Sequence, residues 1–110
     1  ENWAMVPPAI VKGKESSYHI YALRIRNITE KQRDQIIDEI SKTGVAVNVH
    51  FIPLPMLTFF KEKGFNIKDY PQAYHNFKCE ISLPIYPQLT EEQLAYVIKA
   101  VKNAYKTVIG

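Results

Sequence analysis

Cysteine is nearly missing from this chain. Cys79 is the only one, so no disulfide can form within it, and a reducing compartment, the cytoplasm by default, is expected. Glycine is scarce at four residues, too few for a Gly-rich phosphate cradle, and the sequence holds no Walker loop, no GxGxxG and no nucleophile elbow. Those absences exclude the common nucleotide-binding and serine-hydrolase constellations. There is no run of ~18 apolar residues, so no membrane span is expected. Charge of one sign is never concentrated. The net charge is +3, but the basic residues are interleaved with acids, as in KEKGFNIKD and TEKQRDQIIDE. That pattern makes a solvated surface rather than a stripe for a nucleic-acid backbone. The start, ENWAMVPPAIVKGK, does not begin with Met and has no basic-then-apolar signal pattern, and it reads as a piece of something longer.

What is present is enough for one core. Apolar residues make up 46% of the chain, with seven tyrosines and five phenylalanines, and a single packed domain over residues 1–110 is expected. Residues 1–16 read as an irregular lead-in, with extended backbone at Pro7-Pro8 and a turn at GKES. SYHIYALRIR, from Ser17 to Arg26, alternates as a strand with His19, Tyr21, Leu23 and Ile25 on one face. Thr29 opens a helix through a capping box with Gln32. Ile36, Ile37 and Ile40 form its apolar stripe, and Gly44 ends it. A buried strand is expected at Val45–His50, then two short helices at Met56–Lys63 and Pro71–Lys78, then a strand at Glu80–Leu83. Thr90 opens the last helix with a second capping box, TEEQ, and Leu89 and Leu94 are placed as a hydrophobic staple. Leu94, Val97, Ile98, Val101, Tyr105 and Val108 keep helical spacing. This order predicts an α+β fold: a two-layer sandwich of a small, mostly antiparallel three-stranded sheet with helices packed on one face.

The stretch Gly44–Pro55, GVAVNVHFIPLP, looks most like a site. It brings His50 and Phe51 to a strand end and then stops on Pro53 and Pro55. The ordinary reading of His50 is a strand-end histidine bonded to backbone. The functional one is a donor to an anionic or hydroxylated ligand, with Phe51 as an apolar wall and the prolines lowering the entropy lost on binding. His19, His50 and His75 lack metal-ligand spacing, so no metal site is expected. Cys79 reads as a small core residue, and Glu91 and Glu92 favour the dipole of the last helix. No catalytic residue is expected in the chain.

Three segments in order, SYHIYALRI, GVAVNVHFIPLP and ISLPIYPQLTEEQLAYVIKAV, resemble the carboxyl-terminal small domain of pyridoxal-phosphate-dependent sugar aminotransferases of the DegT/DnrJ/StrS type. The likeness runs over about residues 16 to 106. It implies the small domain of an aspartate-aminotransferase-like fold, closing one side of the cleft in a larger enzyme that aminates a keto-sugar, often nucleotide-linked. It implies that pyridoxal phosphate (PLP) and its Schiff-base lysine belong to an N-terminal large domain, and that the full-length enzyme is a homodimer. It implies that His50 and Phe51 help bind the sugar, and that this segment alone does not transaminate. Two positions depart from the family pattern. Phe51 stands where a tyrosine is common, and Pro55 stands where a histidine is common, so two polar contacts are replaced by apolar ones. The alternative from another class is a free-standing α+β module binding RNA or a small metabolite. The Tyr-rich first strand suggests it, although the RNP pattern is absent.

Overall fold

Both capping threonines open helices. In the computed structural model, which describes residues 1–110, the Gln32 amide donates to Thr29 Oγ1 at 3.2 Å. The Thr29 amide donates in return to Gln32 Oε1 at 2.9 Å. Thr90 and Gln93 repeat the exchange at 3.2 and 3.0 Å. These boxes start α1 (Glu30–Ser41) and α4 (Glu91–Ile109), the two helices that pack most extensively on each other. Gly44 sits just past α1 at φ 81°, a left-handed conformation that an L side chain resists.

Three strands form one antiparallel sheet. β1 (Ala4–Met5) pairs with β4 (Tyr21–Ile25), and β4 pairs with β5 (Glu80–Leu83), giving the order β1-β4-β5. β2 (Ile10–Val11) and β3 (Lys14–Glu15) make a separate hairpin turned at Lys12-Gly13. In the β4–β5 register Leu23 faces Ile81 while Arg24 faces Glu80. Alternation therefore sends Leu23, Ile25 and Ile81 to one face. There they join Ile36 and Ile40 of α1 and Val97, Ala100, Val101 and Ala104 of α4 in a single buried cluster. The α+β class and the antiparallel three-stranded sheet are as the sequence predicts. Two short helices, α2 (Thr58–Glu62) and α3 (Pro71–Cys79), fill the link to β5, with Pro71 in the first turn of α3.

Three expectations need correction. The lead-in at residues 1–16 is not irregular throughout. β1 forms the sheet edge, and Trp3 beside it stacks on Tyr105 of α4 with ring centroids 4.1 Å apart. The stripe of α4 is also displaced. Leu94 and Ile98 stay 40% and 46% exposed, while Ala100 and Ala104 are buried, small side chains that let α4 lie close to α1. Finally, Val45–His50 is not a regular strand. It runs beside β5 as the sheet's next neighbour, yet it is held by one bridge, Asn48 with Ser82, through backbone bonds of 3.2 and 2.7 Å.

Candidate functional site

The next rung after Asn48–Ser82 in an antiparallel ladder joins His50 to Glu80, two residues along each segment. That rung is diverted. The His50 amide donates not to the Glu80 carbonyl but to the Glu80 carboxylate, Oε2, at 2.9 Å. The Val49 amide, which points away from β5, is met by the Asn48 side chain, Oδ1, at 2.8 Å. At His50 a side-chain acceptor has replaced the ladder, which explains why the pairing with β5 goes no further.

The substitution builds a closed ring of hydrogen bonds. The Ser82 hydroxyl donates to Glu80 Oε1, and Ser82 Oγ also lies 2.8 Å from His50 Nδ1. Glu80 and Ser82 are buried at 4% and 6% exposure, and no other side chain bonds the Glu80 carboxylate. His50 itself is exposed, and Phe51 is 67% exposed, so the ring is anchored from below and open above. Beside it lies a cavity of about 380 Å³, lined among others by His19, Ile20, Asn48, His50, Ser82 and Pro84. His19 and His50 thus reach the same cavity, while His75 lies apart on α3. No group of three His, Cys, Asp or Glu side chains is placed to hold a metal ion.

Glu80 and Ser82 were not singled out by sequence reasoning. The signal was present, however: in Glu-Ile-Ser-Leu two polar side chains share one face of a short strand whose other face is core. Their position is fixed from the α1 side. Arg33, 2% exposed, donates from Nη1 to the Phe77 carbonyl at 2.8 Å and places its guanidinium 4.8 Å from the centre of the Phe77 ring. Its Nε donates to Asp34 at 2.6 Å. A buried arginine with these partners pins the last turn of α3 immediately before β5 begins. Across the sheet, Arg24 donates from Nη1 to Asn76 Oδ1 at 2.8 Å. Cys79, in the same turn, gives its thiol to the His75 carbonyl at 3.2 Å, and burial pushes its pKa up. A thiol held neutral in this way is a core residue rather than a nucleophile.

A second cavity of about 430 Å³ opens on the other side of Pro84, between Gly44, Ala46, Tyr86, Gln93 and Tyr96. The Tyr96 hydroxyl donates to the Thr43 carbonyl at 2.8 Å and ties α4 to the end of α1. Neither cavity has a lysine or arginine in its wall.

The family model for the DegT/DnrJ/EryC1/StrS aminotransferases matches residues 2–102. This chain belongs to that family. Its fold superposes on a Streptococcus pneumoniae protein assigned as a sugar aminotransferase, in its PLP form. The TM-score is 0.93 at 36% identity, over 98% of this chain and 28% of that one. An uncharacterized protein of Methanocaldococcus jannaschii is 37% identical over 90% of the chain and 26% of its own length. The spore coat polysaccharide biosynthesis protein SpsC of Bacillus subtilis is 27% identical over 93% of the chain and 27% of its length. The chain thus spans about a quarter of the length of the curated relatives it matches. No helix is long and apolar enough to cross a membrane.

Proposed function

We propose that this chain is the C-terminal small domain of a PLP-dependent aminotransferase that aminates a nucleotide-linked keto-sugar in the cytoplasm. The superposition on the Streptococcus pneumoniae PLP form, nearly complete for this chain and covering 28% of that one, carries the reading. PLP, when bound, would supply the electrophilic chemistry for moving an amino group from a donor such as glutamate to the sugar carbonyl. Its seat lies in an N-terminal large domain, and two full-length subunits associate as a homodimer. This chain's share is recognition. His50 reaches a polar group of the sugar from a backbone held by Glu80. Phe51, exposed here, covers an apolar ring face. Pro53 and Pro55 keep the loop stiff, so less entropy is lost on binding. The domain alone does not transaminate.

The full-length protein tests this. Incubated with glutamate it is expected to pass from the PLP to the pyridoxamine form by absorbance, and a nucleotide-linked keto-sugar is expected to restore the first spectrum. No spectral change with any amino donor, in a protein that has bound PLP, contradicts the proposal.

A further inference from the structure

We propose that Glu80 and Ser82 are positioning residues that lock the neutral His50 ring with its proton on Nδ1, so that Nε2 accepts a hydrogen bond from a ligand hydroxyl in the cavity beside Pro84. That this hydroxyl belongs to a sugar rests on the aminotransferase reading; the lock itself does not.

The argument is a matter of counting hydrogens. A serine hydroxyl has one, and in Ser82 it goes to Glu80 Oε1. A carboxylate only accepts, and Glu80 Oε2 is already met by the His50 amide at 2.9 Å. Ser82 Oγ can therefore meet His50 Nδ1, 2.8 Å away, only by accepting from it. The proton sits on Nδ1, and the neutral ring has no second one. Nε2 is left with a lone pair and no hydrogen-bond partner in the chain, on a residue that lines a cavity of about 380 Å³. Glu80 and Ser82 are both buried, so the Ser82–Glu80 bond behind the exposed ring is shielded from water. A lone pair there favours a group that donates, a hydroxyl, over an anionic oxygen that can only accept. The histidine expected to act as a donor is turned by the residues behind it into an acceptor.

An isosteric change reverses the chain of bonds. In Glu80→Gln the amide oxygen keeps the His50 amide and the amide nitrogen faces Ser82, donating to Oγ. The serine hydrogen then turns to Nδ1, and the ring proton moves to Nε2. In the full-length protein with ¹⁵N-labelled histidine rings, at pH 8.5, the His50 signal (identified by its loss in His50→Asn) is expected to report Nδ1–H in the wild type and Nε2–H in E80Q. S82A is expected to lose the preference, and S82T, which keeps the hydroxyl, to retain Nδ1–H. The KM for the keto-sugar is expected to rise about three- to tenfold in E80Q, the range for one hydrogen bond, with the glutamate half-reaction unchanged. An Nε2–H ring in the wild type, or the same tautomer in wild type and S82A, overturns the proposal. Should E80Q not fold, S82A and S82T decide alone. The tautomer is read without sugar, so a protein that fails to transaminate overturns the proposed function and leaves the lock standing.

Discussion

Ile25, Ile36, Ile40 and Ile81 have no exposed surface, and they bring β4, β5 and α1 together. Replacing Ile81 with alanine removes a side chain from the middle of the sheet's inner face. A loss of about 2–5 kcal/mol in urea unfolding is expected, the upper part of the range if the neighbours cannot collapse into the gap. Cys79 makes a second prediction at this scale. Burial raises its pKa, so the folded state holds the thiol proton more tightly than the unfolded chain does. Its stabilising contribution is complete below the ordinary value of 9.0 and is lost as pH rises from there through the folded value. C79A is expected to flatten the fall in stability above that pH by one proton's worth of slope, measured by denaturation at several pH values. Ile36 and Ile40 were legible as an apolar stripe from their helical spacing alone. Glu80 was not legible as buried, because a charged residue at a strand start ordinarily faces water. Its burial depends on a loop that arrives from 30 positions away, through the His50 amide.

Local chemistry decided some elements and distant contacts decided others. The two capping boxes are short-range devices, and α1 and α4 begin where Thr29 and Thr90 predict. Thr90→Ala is expected to cost about 1 kcal/mol, seen in thermal melts, with Thr90→Ser close to neutral. Val45–His50 illustrates the opposite case. Its composition is that of a strand, and it does lie at the sheet edge, but the Glu80 side chain takes the His50 amide that the next rung of the ladder needs. β1 went unread because two residues carry no periodicity, and its place depends on Trp3 stacking against Tyr105 a hundred positions on. In α4 the spacing was right and the face was off by part of a turn. Alanines at 100 and 104, which carry little hydrophobic signal, are the side chains that fit against α1.

Taken whole, the molecule buries little of what it could. Fifteen of 110 residues are buried, and sixteen large apolar or aromatic side chains remain well exposed, Phe51, Leu54, Phe59 and Tyr96 among them. Those side chains are available to a neighbouring surface, and the chain spans about a quarter of the length of its relatives. The division of labour proposed above makes a distinct kinetic prediction, since under that proposal the two half-reactions of the full-length protein use different substrates at one cofactor. The most direct measurement is single-turnover kinetics of each half-reaction in the doubly substituted H50A/F51A protein. With glutamate the rate is expected to stay within about twofold of wild type, while the apparent Kd for the keto-sugar rises at least tenfold, about 1.4 kcal/mol or more. An equal loss in both half-reactions, or no loss in the sugar step, would contradict the assignment of this chain as the sugar-facing wall of the cleft.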